Sequence, residues 1–319
     1  MSSIERLLRS LDARQRRWNP AAFVVAVFKK YGDDRGGQLS ALISFYAFLS
    51  FFPLTLVVIT ATAFFSQRNP DIAQRIRDSS LSQFPVVGAE LTGGERALHG
   101  SAVGLGIGLV GLLWGGFGGT QILQYAFHEV WHVPHKDRPS FVVRTVRGIA
   151  VFGLLAAGIV GSAILGLLGT IFHSAPLAGP AGLVGAFGIM VALYLGIFWL
   201  MSPRDLKIIE LLPGVLFAAF GWQVLQTIGI RLVTHQLRRS SQLYGSIGAA
   251  LGLIGFFLIG SQLLLYGLEI TVVHKQRLWP RSILQPPLTE PDQRLLEAMA
   301  KQEERRPEEH VSVTFRADP

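Results

Sequence analysis

Six apolar blocks, at residues 38–65, 101–127, 149–172, 182–201, 208–230 and 246–273, contain no lysine or arginine at all. Each is long enough to cross a hydrocarbon core of about 30 Å as a helix rising about 1.5 Å per residue. Basic side chains are costly at mid-bilayer, so their exclusion from every block is what membrane-spanning helices require. Only 16% of the 319 residues are charged, against about 25% in ordinary soluble domains. The expected fold is therefore all-α: a polytopic membrane bundle of six transmembrane helices with short interfacial helices at its N-terminal end. Cysteine is absent, which excludes disulfides and thiolate metal sites. The first 18 residues are polar and charged, without the apolar core and small-residue cleavage site of a signal peptide.

Orientation follows from where the 29 Lys and Arg residues went. The arm 1–37, the 128–148 and 202–207 loops and the tail 274–319 together carry 22; the 66–100 loop and the 231–245 segment carry seven. That asymmetry places the first side in the cytoplasm, with both termini there, and makes 66–100 an extracytoplasmic loop. The pI of about 10.1 is then mainly a topology signal. No basic-aromatic module accompanies it, so membrane lipids rather than nucleic acid are the expected partners.

The segments outside the spans are modest. Ile4, Leu7, Leu8 and Leu11 share one helical face, as do Phe23, Val24, Val27 and Phe28; both patterns suit cytoplasmic helices lying on headgroups. Asp71 to Ile76 suggests a short helical cap outside the membrane, and Gly179-Pro180 a tight hairpin before the fourth span. Beyond Pro291, acidic and basic residues alternate with little to bury, so the tail is expected to be largely disordered.

Within the spans, Gly104, Gly108, Gly111, Gly115 and Gly119 recur every three or four residues. Such a stripe lets another helix approach closely. It can serve packing within one chain or between two copies, so a homo-oligomer is compatible with it. Pro53 interrupts the backbone bonding of the first span and introduces a flexible point there. Tyr46 of the same span is a further lining or packing candidate.

Polar residues inside spans carry more information, because lipid offers them no partner. Gln262, Tyr266 and Glu269 lie at i, i+4 and i+7 on the sixth block; Gln223 and Gln226 share a face of the fifth; Thr120, Gln124 and His128, with Gln121 beside them, mark the second. Turned inward, these faces form either a hydrogen-bonded core or the lining of a hydrated cavity. His128-Glu129-Val130-Trp131-His132 also matches H-E-x-x-H. On a helix that motif sets two imidazoles on one face, with a carboxylate to activate a zinc-bound water. A membrane-embedded zinc peptidase is the enzymatic alternative; His128 and His132 would be its ligands, and a third would have to come from elsewhere. No phosphate-cradling G-x-x-x-x-G-K-[ST] loop occurs, so no nucleotide cofactor is expected, and no other cofactor is indicated.

The stretch Leu39 to Pro53, the pair Leu113-Trp114 before a glycine-rich turn, Pro203-Arg204 leading into Leu212-Pro213-Gly214, and Tyr244 to Gly248 through Tyr266-Gly267-Leu268-Glu269 together resemble the YihY/BrkB family of bacterial inner-membrane proteins. The resemblance covers residues 25 to 280. Leu268 stands where the family usually has a small residue. The resemblance implies six spans with cytoplasmic termini and, through links of some members to lipid export, the movement or accommodation of an amphiphile. The ribonuclease label the family has carried finds no water-exposed acidic cluster here. A non-catalytic scaffold for envelope proteins is the third reading.

Overall fold

A computed structural model describes residues 3–66, 102–171, 178–203, 205–240 and 245–315. The suggested cap at Asp71–Ile76 lies outside them. Each of the six apolar blocks is one helix: α3 (Gly36–Ser66), α4 (Ala102–Val130), α5 (Phe141–Ile171), α6 (Ala178–Met201), α7 (Ile208–Ser240) and α8 (Gly245–Gln276). Before them come α1 (Ser3–Arg17) and α2 (Asn19–Asp33), and after them α9 (Glu290–Gln302). Among the described residues there are no strands. Four of the helices hold stretches long and apolar enough to cross a membrane: Gly36–Leu54, Gly182–Met201, Ile208–Gly229 and Ala250–Gln276.

Consecutive long helices are neighbours, and α8 closes back on α3, so the six form a ring. Large apolar side chains face outward all round it, with Trp114 75% and Val184 72% exposed. Outward apolar surface on that scale suits lipid rather than water.

The glycine stripe of α4 is used within the chain. A Cβ on Gly111 would stand 3.0 Å from Pro53 Cγ, and one on Gly115 would stand 3.1 Å from Ser50 Oγ. A Cβ on Gly118 would overlap the Tyr46 ring. Tyr46 and Pro53 are thus the ridge of α3 seated against α4, and Pro53 lies inside one unbroken helix. Gly158 meets Leu193, and Gly196 meets Leu154, across α5 and α6. The closest crossing joins α7 and α8, where Gly214 and Gly267 touch backbone to backbone.

Three expectations are corrected. Pro180 lies in the first turn of α6 rather than in a hairpin before it; proline is tolerated there because that turn's N–H groups lack helical partners anyway. Phe23, Val24, Val27 and Phe28 of the second N-terminal helix do not share one environment. Ala22, Ala26, Val27 and Lys30 are buried, while Val24 and Phe28 face outward, because α2 packs against α8 and α3. The tail is not disordered over its described residues. Thr289 caps α9 in a reciprocal box with Asp292, and Leu295 is buried.

Leu278 and Leu295 join the apolar core, and a polar network that composition does not announce holds the rest of the tail. Asp292 accepts from Arg281 Nε at 2.8 Å, Ser282 N–H at 3.0 Å and Thr289 Oγ1 at 2.7 Å. Burial opposes the charge on Asp292, and these donors outweigh it, holding its pKa well below the ordinary aspartate value. Arg281 also reaches Asp33 of α2 at 2.8 Å. Asp12 of α1 accepts from the Ile283 N–H at 2.8 Å. Further along, the Lys136 ammonium pairs with Glu304 at 2.7 Å. Both described chain ends therefore pack together at one end of the bundle. Thr289→Ala is expected to cost α9 about 1 kcal/mol by removing the cap, read as faster amide hydrogen exchange across 290–302.

Candidate functional site

Helix α4 ends at Val130, and the way it ends creates the site. His132 takes a left-handed backbone (φ 49°). Its N–H bonds the Glu129 carbonyl at 3.0 Å, and the next N–H, of Val133, bonds the His128 carbonyl at 2.9 Å. This is a Schellman turn, in which the left-handed residue is usually glycine. The turn leaves the Val130 carbonyl facing α2, at the negative end of the helix dipole.

Lys30 of α2 fills that position. Its ammonium donates to Asp34 Oδ2 at 2.5 Å and to the Val130 carbonyl at 2.7 Å, and forms an ion pair with Glu269 Oε2 of α8 at 3.0 Å. His132 Nε2 lies 3.1 Å from Asp34 Oδ1. The side chains of Lys30 and Glu269 are fully buried, with Asp34 1% and His132 4% exposed. Burial works against charge on Lys30, and the Glu269 and Asp34 carboxylates outweigh it, raising its pKa above the ordinary lysine value. Burial likewise opposes the Asp34 carboxylate, and Lys30 with His132 lowers it below the ordinary aspartate value. Next to the cluster, Tyr31 stacks on Tyr266 at 4.2 Å and its hydroxyl lies 3.0 Å from Ser40 Oγ. The cluster ties α2, the end of α4 and the end of α8 into one unit.

The zinc reading does not fit this geometry. His132 stands beyond the helix and turns to Asp34, so it does not share a helical face with His128. Glu129 is engaged by Arg138 Nη2 at 2.9 Å and Gln302 Nε2 at 2.6 Å. Among the described residues, no group of three His, Asp or Glu is placed to hold a metal ion.

The other polar candidates are dispersed. Gln124, almost fully buried, donates to the Arg144 carbonyl at 3.0 Å and so fastens α4 to the first turn of α5. Gln121 is half-buried, its amide nitrogen enclosed without a hydrogen-bond partner among the described residues. Gln223 and Gln226 on α7 and Gln262 on α8 are also half-buried. Of the proposed lining, only Tyr266 and Glu269 come together, and they meet Lys30, Tyr31 and Asp34, which sequence reasoning left on the surface. A signal was available: Ala22, Ala26 and Lys30 recur every four residues, so a lysine sits on the small-residue face of α2.

Two openings flank this end of the bundle. A cleft of ≈ 480 Å³ lies between the start of α5 and the end of α6, walled by Val146, Ala150, Trp199, Leu206 and Leu211, with Arg147 among its lining residues. A second cavity, of ≈ 740 Å³, lies between the start of α7 and the end of α8.

A ring of long apolar helices, an outward apolar surface and a fully desolvated ionic lock define a polytopic helical membrane protein. The chain belongs to the Virulence factor BrkB family, whose family model matches residues 27–288. It is similar to the inner membrane protein YhjD of Escherichia coli, 26% identical over 267 residues that cover 77% of this chain and 78% of the relative. It is also similar to YfkH of Bacillus subtilis, named as ribonuclease-like, at 24% identity over 277 residues covering 81% and 98%. No solved structure matches the chain.

Proposed function

We propose that the protein is a six-span component of the bacterial inner membrane, with both termini in the cytoplasm, that accommodates a lipid or similar amphiphile of the envelope. The distribution of basic residues, 22 against seven, supports that orientation, as does the packing of both chain ends on one end of the ring. The observation that carries the amphiphile reading is the α5–α6 cleft. Its ≈ 480 Å³ falls in the range of small-molecule sites, about 300–1,000 Å³. Apolar walls with Arg147 and Ser202 among the lining suit a molecule with an apolar body and a polar, anionic end.

The ionic lock is a positioning element in this reading. Its two carboxylates are committed to Lys30 and His132 and shielded from solvent, so they offer neither a path for a headgroup nor a groove for nucleic acid. The ribonuclease-like name of the Bacillus relative therefore finds no support in these acids.

The test is lipid movement in proteoliposomes, with fluorescent phospholipid bleached from outside by dithionite. Wild-type protein is expected to expose lipid well beyond the outer-leaflet half. Ala150→Trp, which fills the cleft, is expected to return bleaching to about half, the share a sealed bilayer exposes. Wild-type bleaching that stops at half, in folded protein, would count against passive movement. Bleaching unchanged by Ala150→Trp would remove the cleft as the path.

A further inference from the structure

The ≈ 740 Å³ cavity between the start of α7 and the end of α8 is lined by Glu210, His274, Lys275, Arg277 and Trp279. Two permanent cations and a histidine thus oppose a single carboxylate. All but Glu210 follow closely on Val273, the last of the apolar run in α8, which sets them at headgroup depth, where tryptophan and basic side chains favour the interface.

The backbone there is unusual in the same way as at His132. The Leu278 N–H reaches back to the Val273 carbonyl at 3.1 Å, and Arg277 takes the left-handed position (φ 50°). Glycine would adopt that position without strain; an arginine held there points to a use for its side chain. Arg277 has no ion-pair or hydrogen-bond partner for its guanidinium among the described residues. Lys275 spends one donor on Glu210 at 2.5 Å, which leaves two of the ammonium's three. Trp279 is held as a wall by His274 stacked on one side, 6.1 Å away at 10°, and by Phe23 edge-on at 5.2 Å.

We propose that this cavity binds the phosphate of an anionic lipid headgroup, with Arg277 and Lys275 as its ligands and Trp279 as the wall beside the glycerol. A guanidinium grips phosphate oxygens in pairs and an ammonium adds a point charge, while Glu210 keeps Lys275 extended over the cavity. This rests on the amphiphile reading and names the headgroup class that reading leaves open.

The test is native mass spectrometry of the full-length protein in detergent, titrated with short-chain phosphatidylglycerol, with phosphatidylcholine of the same chain length, or with inorganic phosphate. Wild type is expected to bind phosphatidylglycerol about tenfold more tightly than phosphatidylcholine, with inorganic phosphate weaker than either. Arg277→Gly is expected to abolish that preference while its melting temperature holds or rises, since glycine relieves the left-handed strain. Lys275→Gln is expected to reduce it. Equal binding of the two lipids by wild type, or a preference that survives Arg277→Gly, overturns the headgroup site and leaves the amphiphile reading standing. Inorganic phosphate binding as tightly as the anionic lipid overturns the lipid assignment in favour of a free-anion site. Wild type that binds no lipid at all overturns both.

Discussion

Lys30→Ala is expected to lower stability by about 3–5 kcal/mol, the usual cost of stranding a buried partner charge. Removing the ammonium leaves Asp34 and Glu269 facing one another without a cation, in a place where both side chains are at most 1% exposed. It also strips the Val130 carbonyl of its donor. Thermal unfolding of the purified protein in detergent measures the loss, and protease sensitivity of the N-terminal arm shows whether α2 leaves α8. Replacing both ends of the lock, Lys30→Met with Glu269→Leu, is expected to recover much of the loss, because apolar side chains of similar volume need no desolvation. His132 would remain as the partner of Asp34. A Lys30→Ala protein within about 1 kcal/mol of wild type would mean that water reaches the cluster, since exposed pairs are worth no more than that.

Gly214→Ala is the second large effect. The added Cβ would overlap the Gly267 carbonyl oxygen and Thr271 Oγ1, and neither α7 nor α8 can yield locally because the obstacle is backbone. The helices must separate along their length, loosening the α8 end that carries Glu269. A loss of about 3 kcal/mol or more is expected, at the upper end for overpacking. Gly252→Ala is the control: nothing lies within 4 Å of its Cβ position, and alanine is the better helix former, so stability should hold or rise slightly. If both substitutions behave alike, the Gly214–Gly267 contact is not what brings α7 and α8 together.

The helical architecture was legible because one requirement, backbone bonds satisfied within an apolar stretch, acts on each helix separately. Most block boundaries therefore fell close to helix ends, but 149–172 began well after α5 starts at Phe141, and 208–230 stopped short of α7, which continues to Ser240. The α4 stripe likewise announced a close neighbour. Which helix fills it was not written locally, and neither was the role of Lys30. A lysine 30 residues into a basic arm reads as surface until α8 brings Glu269 to it from 239 positions away. H-E-x-x-H misled for the reverse reason: spacing implies a shared face only while the helix lasts, and α4 stops at Val130. The tail was misjudged because its ordering rests in part on Asp292 and Arg281, polar residues that composition assigns to water.

By itself, then, the amino-acid sequence determined that this chain makes six long helices and that each holds an apolar block without lysine or arginine. Those properties follow from each segment's own transfer between water and lipid, and need no partner to be read. Only the tertiary structure decided that the ring closes through α8 on α3, that the N-terminal arm and the tail fold onto the bundle, and that Lys30, Asp34, His132 and Glu269 form one desolvated lock. A buried charge is tolerable only beside its counter-charge, and in this chain the counter-charges come from distant segments.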